Sequence, residues 1–357
     1  MKIMIATGGT GGHINPALDL AHILKLRNPE NEVIFVGSDN SMEATVIPEA
    51  GYKFYGLHIT TTVGSIISKV KYATSLMKAY FESKQILMQE KPDICIGFGN
   101  YISVPLILAA HHLGIKTMLH EQNSFAGKAN KFLSHFADAV VGCYESNKLQ
   151  MSKANVRILG NPSASVVKDV VFNPEVIEKI GLSKDIPFVV FMMGSLGSSS
   201  VSKVIDEAIP LFDYDFQVII VNGKANSYQF QNTDFNNIKF VPYIDGKQVL
   251  KGCTLAVTRA GATTISEICA LPAAAVLIPS PFVANNHQVY NAKELAEKDA
   301  AIMIEENELS PQLLATTVNK LVHDQLRCNK LKENAHKLAK VNAANQMIDW
   351  IEEVLHG

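Results

Sequence analysis

A glycine-rich segment near the N-terminus holds the residues best suited to chemistry. Residues 7–13 read Thr-Gly-Gly-Thr-Gly-Gly-His and follow Ile3–Ala6, an apolar run that predicts a buried strand. Four glycines in six positions remove side-chain bulk, so backbone N–H groups can approach a ligand closely. Asn15 and Pro16 predict the start of a helix behind this loop, and a helix N-terminus favours a phosphate or diphosphate. His13 is the one titratable side chain in the segment and could move a proton beside such an anion.

The glycine spacing matches neither of the two common nucleotide-binding motifs. A dinucleotide fingerprint that begins at Gly9 and Gly11 requires a third glycine where Ile14 stands. A P-loop counted from Gly8 meets His13 where its last glycine belongs, and no lysine follows. The broken fingerprint argues against a nicotinamide-dependent oxidoreductase, while a plain strand–helix turn stays as the competing structural interpretation.

Length and composition set the class of protein. The chain has 357 residues, 47% hydrophobic and 18% charged, which favours two domains with buried parallel strands. A net charge of −2 gives no reason to expect nucleic acid as a partner. Five cysteines without a C-x-x-C spacing predict reduced thiols in a cytoplasmic protein. No signal peptide is visible and no apolar run is long enough to span a bilayer, so any membrane contact is expected to be peripheral.

Strands and helices are predicted to alternate along the whole chain, which indicates an α/β fold with doubly wound parallel sheets. The rhythm breaks at Leu159–Pro162 and restarts at Phe188. We therefore expect an N-terminal domain over residues 1–160, a C-terminal domain over 161–340, and a last helix within 341–357 that packs back on the first domain. Ligands in such sheets bind at the carboxyl ends of strands, and an interdomain cleft is expected. The predicted strands are Lys2–Ala6, Val33–Val36, Ile94–Gly97, Thr117–His120, Ala139–Gly142, Phe188–Met192, Gln217–Val221, Ile238–Val241, Leu255–Val257, Ala274–Ile278 and Ala300–Ile304. The main predicted helices are Pro16–Leu26, Met42–Ala50, Ile66–Gln89, Val104–Leu113, Lys128–Phe136, Val201–Ala208 and Asn342–His356.

Three segments of the second half carry side chains suited to a sugar nucleotide. Gly194–Ser200 is a second candidate anion loop, in which Ser195 adds a hydroxyl donor. Arg259–Glu267 opens a helix, and the Glu267 carboxylate could accept hydrogen bonds from two ribose hydroxyls. Pro279–Gln288 carries amide side chains, which can both donate to and accept from sugar hydroxyls. A serine-rich turn, a helix cap and a polar loop are the competing structural interpretations.

Histidines and acids elsewhere do not predict a metal site. His120-Glu121-Gln122-Asn123 end a strand and should face the ligand edge, although a lone strand histidine is more often packed than catalytic. No H-x-x-x-H pair with an added carboxylate occurs. Asp213-Tyr214-Asp215 precedes a strand, at the edge opposite to ligands, and is interpreted as a solvated turn.

The segment Ile66–Leu87 predicts a basic amphipathic helix. Its lysines suit an anionic membrane surface, but its apolar stripe could equally face the core. The sequence leaves both interpretations open. The lysines are Lys69, Lys71, Lys78 and Lys84, and the stripe is Ile66, Val70, Ala73, Met77 and Phe81.

Taken together these segments resemble the MurG family, the N-acetylglucosaminyl transferases that complete the lipid-linked disaccharide of peptidoglycan. The likeness runs the length of the chain. It rests on Thr7–His13 with Asn15-Pro16-Ala17, His120–Asn123, Gly160-Asn161-Pro162, Gly194-Ser195 with Gly197, Arg259–Glu267, and His287-Gln288 with Asn291-Ala292. Two differences stand out: Met193 and Leu196 replace a glycine and a glutamine of the family's Gly-Gly-Ser-Gln-Gly loop, and Ser163-Ala164 stand where an arginine often follows Gly-Asn-Pro.

The resemblance implies a GT-B architecture of two Rossmann-like domains and an inverting transfer without cofactor or metal. The donor would be UDP-N-acetylglucosamine. The acceptor would be undecaprenyl-diphospho-N-acetylmuramoyl-pentapeptide at the cytoplasmic side of the cell membrane, approached peripherally by the N-terminal domain. His13 is our first choice for the catalytic base, since an unperturbed histidine titrates near neutrality, although a histidine in this loop could instead bind the acceptor phosphate. The implied acceptor-diphosphate residues are Thr7, Gly8 and Gly9. The implied UDP-N-acetylglucosamine residues are Thr10, Gly11, Gly12, Asn123, Ser195, Ile244, Ala262, Thr263, Thr264, Glu267 and Gln288.

Three rival functions make different predictions. A nicotinamide-dependent oxidoreductase would bind NAD(H). A UDP-sugar epimerase shares the expected two-domain architecture and would release UDP without any lipid acceptor. A sugar-nucleotide or lipid-head-group binding protein would bind donor without turnover.

Overall fold

The computed structural model describes residues 1–60, 66–194, 197–223 and 228–357, and the side chains of 66, 67 and 284 lie outside the description. The chain divides into two compact units. Unit 1 comprises Met1–Val166 and Asn342–Gly357, and unit 2 comprises Val167–Val341. Two of the expected site and loop residues, Ser195 and Leu196, fall outside the described residues.

Unit 1 is built on seven strands and the helices between them. The strands are β1 Lys2–Ala6, β2 Glu32–Ser38, β3 Lys53–Leu57, β4 Ile94–Gly97, β5 Lys116–Glu121, β6 Ala139–Gly142 and β7 Val156–Ile158. The helices are α1 Gly11–Arg27, α2 Glu43–Glu49, α3 Ile66–Glu90, α4 Ser103–His112, α5 Lys128–Leu133, α6 Ser146–Gln150 and α7 Ser163–Val167. The sheet is parallel throughout, in the order β3-β2-β1-β4-β5-β6-β7.

Unit 2 repeats this plan. Its strands are β8 Phe188–Met192, β9 Gln217–Val221, β10 Ile238–Val241, β11 Leu255–Thr258, β12 Ala275–Leu277 and β13 Ile302–Met303. Its helices are α8 Glu175–Glu178, α9 Ser199–Ala208, α10 Gly246–Gly252, α11 Ala262–Ala270, α12 His287–Ala296, α13 Pro311–His323 and α14 Gln325–Lys337, with short 3₁₀ turns at Ile209–Leu211 and Ala284–Asn286. The parallel order is β10-β9-β8-β11-β12-β13.

The last helix, α15 (Ala343–His356), belongs to unit 1. Its Trp350 is buried in the same core as α1 and β1. The guanidinium of Arg157 lies 4.5 Å above the Trp350 ring, and Arg27 at the end of α1 donates to Asp349 at 2.5 Å. The C-terminal helix therefore covers one face of the unit 1 sheet.

Burial on both faces explains the continuous apolar runs that mark the strands. In β1, Ile3 and Ile5 face the core under α1 and α15, whereas Met4 and Ala6 face the core under α3 and α4. Successive side chains of a strand alternate between the two faces of the sheet, so both sets must be apolar when helices cover both faces.

The predicted doubly wound α/β fold is confirmed, but three local predictions were wrong. Helix α1 begins at Gly11 instead of at Pro16, because Gly11 and Gly12 adopt helical backbone and Pro16 is accommodated inside the helix. The short edge strands β3 and β7 were not predicted, since their partly exposed, mixed sequences lack a continuous apolar run. The helix predicted over Lys128–Phe136 ends at Leu133.

Candidate active site

Strand order locates the ligand edge of unit 1. The chain moves outward from β1 through β2 to β3, and then returns to build β4 to β7 on the other side. The loops after β1 and β4 therefore separate at this switch point, and ligands of open α/β sheets bind in the crevice that forms there. These two loops are residues 7–10 and 98–102.

His13 lies at this switch point, in the first turn of α1 and not in the preceding loop as expected. The carbonyl of Thr10 accepts hydrogen bonds from the N–H groups of His13 at 3.0 Å and Ile14 at 3.2 Å, which makes Thr10 the N-cap. The Thr10 hydroxyl lies 3.3 Å from Nδ1 of His13. Gly99 has φ +85°, and a Cβ there would lie 3.3 Å from Cδ2 of His13. The imidazole is thus packed between both switch-point loops while remaining partly exposed.

The four glycines before His13 have different surroundings. Added Cβ atoms at Gly8 and Gly9 would collide with side chains at 2.2 Å and 2.1 Å, whereas at Gly11 and Gly12 the nearest atoms are 3.6 Å away. In the described ranges no acceptor is found for the N–H groups of Gly11 and Gly12. The N-terminus of the 17-residue helix α1 therefore presents N–H groups beside His13, the arrangement that binds anions.

His120 is a packed residue and not an exposed one. Its ring is fully buried and stacks on Phe98 at 4.9 Å, and Nε2 donates to the carbonyl of Gly160 at 3.0 Å. Burial lowers the pKa of His120 to about 4, since the charged form would lose its hydration. His120 is therefore packed inside unit 1, as a lone histidine in a strand more often is.

Glu121 organises the turn after β5. Its buried carboxylate accepts hydrogen bonds from the N–H groups of Asn123 and Gly127, both at 2.9 Å, and from Nδ2 of Asn130 at 2.8 Å. Burial raises the pKa of Glu121, although these hydrogen bonds act in the opposite direction. The carboxylate therefore sets the direction of the chain at Asn123, which is only partly buried. Asn130 also donates to the carbonyl of His120 and was not singled out from the sequence.

In unit 2 the switch point lies between β8 and β11, so the loops after these strands flank it. Gly194 and Gly197 both have positive φ in the loop after β8. Arg259, directly after β11, donates through Nη2 to the Ser198 hydroxyl at 2.6 Å and forms an ion pair with Glu306 at 2.6 Å. The two loops are therefore joined through a buried arginine. Glu306 also accepts from the Ser200 hydroxyl at 2.6 Å, and its contribution was not anticipated from the sequence.

The remaining candidate residues of unit 2 also follow carboxyl ends of its strands. Gly261 is the extended N-cap of α11, and Ala262, Thr263 and Thr264 form the first turn. The buried Thr263 hydroxyl has no hydrogen-bond partner within the described part of the chain. Glu267 lies further along α11 and is partly exposed.

Two candidates stand on neighbouring segments. Gln288 is the second residue of α12, and its Oε1 accepts from the N–H of Ser280 at 2.9 Å. Ile244 follows β10 and is partly buried. Asn291 on α12 donates to the carbonyl of Ala260 at 3.2 Å, which links this helix to the turn before α11.

The exposed acidic turn is paired with a histidine. His323 lies 2.8 Å from Asp215 and 3.7 Å from Asp213 on the surface near the start of β9. No group of three or more histidine, cysteine or acidic side chains placed to hold a metal ion occurs among the residues that the structure describes.

The burial of its side chains shows which face of α3 packs against the core. Tyr72, Ala79 and Leu87 face the core. In contrast Val70, Met77 and Phe81 are each more than half exposed, so these residues of the stripe point away from the core, whereas the side chain of Ile66 lies outside the description. Lys69, Lys71 and Lys78 are exposed on the same helix, as is Ala73 of the stripe, and the exposed Met88 extends the stripe toward the end of α3. Within the described residues, no helix has the length and apolar character needed to cross a bilayer.

Comparison with known proteins assigns the family. The N-terminal domain model of glycosyltransferase family 28 matches residues 3–141, and its C-terminal domain model matches residues 188–349. A UDP-N-acetylglucosamine–N-acetylmuramyl-(pentapeptide) pyrophosphoryl-undecaprenol N-acetylglucosamine transferase of Listeria monocytogenes is 36% identical over 363 residues, covering 99% of this chain and 100% of the relative. The chain belongs to the MurG family. The resemblance inferred from the motifs is therefore confirmed, as is the assignment to the glycosyltransferases.

Solved structures agree with this assignment. The crystal structure of MurG from Acinetobacter baumannii matches with a TM-score of 0.80 and 25% identity, and 99% of each chain is covered. The predicted GT-B class is confirmed by this likeness. A UDP-GlcNAc 2-epimerase from Neisseria meningitidis also matches, with a TM-score of 0.68 and 14% identity over 99% of this chain and 100% of the other, which shows a shared fold alone. Because the epimerase has the same fold, the fold alone does not distinguish a transferase from an epimerase. The assignment to the transferases rests on membership of the MurG family.

Proposed function

We propose that the protein transfers N-acetylglucosamine from UDP-N-acetylglucosamine to the C4 hydroxyl of undecaprenyl-diphospho-N-acetylmuramoyl-pentapeptide, with inversion at the sugar C1. The observation that carries the proposal is the 36% identity, over essentially the full length of both chains, with a relative whose name states this transfer. The position of His13 beside the open N–H groups of α1 supports it, because this placement joins a proton acceptor to an anion site.

The reaction needs one base and one stabilised leaving group. The acceptor C4 oxygen attacks C1 of the donor sugar, and the bond from C1 to the diphosphate oxygen breaks, so that UDP leaves with the electron pair. His13 takes the proton of the attacking hydroxyl. N–H groups at helix N-termini stabilise the charge that develops on the departing diphosphate.

We assign the donor mainly to unit 2. Glu267 accepts from the ribose hydroxyls, the Ile244 backbone contacts uracil, and Ser195 is assigned to the diphosphate. Two observations support a ligand at this edge: the loops after β8 and β11 meet through Arg259, and the buried Thr263 hydroxyl has no partner among the described residues. Ala262 and Thr264 flank Thr263 in the same turn, and Gln288 with Asn123 completes the assignment through the sugar hydroxyls.

We assign the acceptor to unit 1. The N–H of Thr7 donates to Val36 at 3.1 Å and that of Gly9 donates to Glu43 at 3.1 Å, so both are already engaged. Segment Thr7–Gly9 is therefore proposed to shape the acceptor-diphosphate site, and Thr10–Gly12 to supply N–H groups to substrate diphosphate, the donor's included.

A membrane surface is the proposed location of the acceptor. The stripe of Val70, Met77 and Phe81 is exposed beside the lysines of α3, and such a face binds at an anionic lipid interface. The protein would then act as a peripheral protein on the cytoplasmic side of the cell membrane.

One assay tests the proposal against its rivals. Purified protein is incubated with UDP-N-acetylglucosamine labelled in the sugar and with the lipid-linked muramoyl-pentapeptide, and the lipid fraction is counted. We expect label in the lipid fraction that depends on the acceptor. Release of UDP in the absence of acceptor, with no label in lipid, would favour an epimerase, and donor binding without turnover would favour a binding protein.

A further inference from the structure

A single peptide unit in the glycine-rich loop is held by side chains on both of its sides. The carbonyl of Gly8 accepts a hydrogen bond from Nδ2 of Asn100 at 3.0 Å. The N–H of Gly9, which belongs to the same peptide plane, donates to Oε2 of Glu43 at 3.1 Å. Asn100 donates to the oxygen of this peptide and Glu43 accepts from its nitrogen, so the peptide plane cannot rotate without breaking a hydrogen bond.

Glu43 reaches this peptide from helix α2 and is almost completely buried. Its second oxygen accepts from the N–H of Ser38 at 3.0 Å, so the carboxylate bridges the ends of β1 and β2. A Cβ at Gly8 would lie 2.2 Å from Oε1 of Glu43, and one at Gly37 would lie 2.6 Å from its Cγ. The buried glutamate therefore leaves no room for a side chain at either glycine.

Asn100 reaches the same peptide from the loop after β4. It has φ +64°, a left-handed conformation that asparagine tolerates better than most residues. Its Oδ1 accepts from the N–H of Tyr101 at 2.6 Å, which leaves Nδ2 directed at Gly8. The neighbouring Gly99 packs against His13, so the two switch-point loops are tied together at this place.

We propose that Glu43 and Asn100 are positioning residues that clamp the Gly8–Gly9 peptide and thereby hold Thr10 and His13 in place for the transfer. The connection is short, because Thr10 follows Gly9 directly, caps α1 through its carbonyl and lies 3.3 Å from the His13 ring through its hydroxyl. The clamp also keeps the Gly9 N–H turned toward Glu43. An anion would therefore be bound by the N–H groups at the start of α1 and not by that of Gly9. The catalytic part of this inference rests on the proposed function.

Two substitutions remove one side of the clamp each. Glu43→Gln leaves one acceptor oxygen for two N–H donors and presents an NH₂ group to the other. Asn100→Gly removes the donor to Gly8 while keeping a backbone that suits φ +64°. Hydrogen exchange of the segment 7–14, read by mass spectrometry, and kcat at saturating substrates are measured for both variants and for the double variant.

We expect each substitution to speed exchange in segment 7–14 about tenfold and to lower kcat about tenfold, since a charge-assisted or buried hydrogen bond is lost. The KM for UDP-N-acetylglucosamine should stay within about twofold, because the donor is assigned mainly to unit 2. The double variant should resemble the single variants, because either change alone frees the same peptide.

Each variant has a matched control, one on the same helix as Glu43 and one with a positive φ like that of Asn100. Glu49→Gln changes an exposed glutamate on α2, and Lys91→Gly changes an exposed residue with φ +48° to glycine. Both should match the wild type.

The clamp is refuted if exchange in segment 7–14 is unchanged or if the two losses in kcat multiply. It is also refuted if exchange rises throughout unit 1, because such a rise would indicate a role in stability alone. Absence of label transfer by the wild type would contradict the proposed function, whereas the exchange measurement would still decide on the clamp.

Discussion

At the scale of single residues, only one of two neighbouring histidines is suited to take a proton. His120 is buried, and its Nε2 proton is committed to the Gly160 carbonyl. His13 is partly exposed in the first turn of α1, next to N–H groups that suit an anion. A base needs access to the hydroxyl it deprotonates, and of these two histidines only His13 has such access, which is why we propose it as the base.

Substitution of His13 tests this assignment. His13→Gln should lower kcat by about 10²- to 10⁴-fold, the usual contribution of a general base, and should leave the dissociation constant of UDP-N-acetylglucosamine nearly unchanged. Label transfer to lipid gives kcat, and calorimetric titration gives donor binding. His22→Gln, an exposed change on the same helix, serves as control. A kcat near that of the wild type at saturating substrates would show that another group is the base.

The buried His120 predicts a pH dependence of stability. Its pKa is about 4 in the folded state and 6.5 without the fold, so the unfolded chain binds the proton first as the pH falls. The stabilisation is complete above about pH 6.5 and is lost toward pH 4, with a slope of up to ~1.4 kcal/mol per pH unit. Urea unfolding followed by the fluorescence of Trp350, the only tryptophan, reports on unit 1. His120→Gln should have the smaller slope between pH 6.5 and 4, and equal slopes would contradict the prediction.

At the scale of elements, α3 presents two different faces. The face with Tyr72, Ala79 and Leu87 packs on the core that also contains α4. The opposite face exposes Met77 and Phe81 together with lysines. An exposed apolar stripe beside basic residues is typical of a peripheral membrane contact.

Charge on this stripe should weaken the proposed membrane contact without unfolding the helix. The variant Met77→Glu with Phe81→Glu is expected to bind vesicles that contain anionic phospholipid about tenfold more weakly, because both side chains are exposed and would lie in the interface. Co-sedimentation with vesicles measures binding, and circular dichroism checks the fold. Leu326→Glu, an exposed change in unit 2, is the control. If the double variant still sediments like the wild type, α3 is not the contact.

The sequence predicted elements well where both faces of a strand are buried and less well at boundaries. Bounds of β1, β4, β6, β8, β9 and β10 agree with the predicted runs, and in all of these strands except β10, where Lys239 interrupts the run, the apolar residues are continuous. The start of α1 was missed by five residues, since Asn15 and Pro16 are strong start signals that tertiary packing overrides. Partners such as Glu43 and Asn100 could not be inferred, because a hydrogen bond across 34 or 92 residues leaves no local pattern.

At the scale of the whole molecule, the same construction appears twice. In each unit the first strand, β1 or β8, leads through a glycine-containing loop to a helix, and the order of strands in the sheet changes direction beside that first strand. The two units differ in one respect: α15 belongs to unit 1, although all of unit 2 comes before it in the chain. Stability of unit 1 therefore depends on the last residues of the chain.

Trp350 provides the test of this dependence. It is the largest fully buried side chain, and it packs with Ile348 and Ile351 of α15 in the core below α1. Trp350→Ala should destabilise unit 1 by about 3–5 kcal/mol, the usual cost of such a cavity, and lower the temperature at which unit 1 unfolds in calorimetry. Gln346→Ala, an exposed change on α15, should have little effect. The unfolding of unit 2 should stay at its original temperature, because the core of unit 2, as far as its residues are described, contains no residue of α15. Equal shifts of both transitions would mean that the two units unfold as one, and an unchanged unit 1 transition would mean that α15 does not stabilise it.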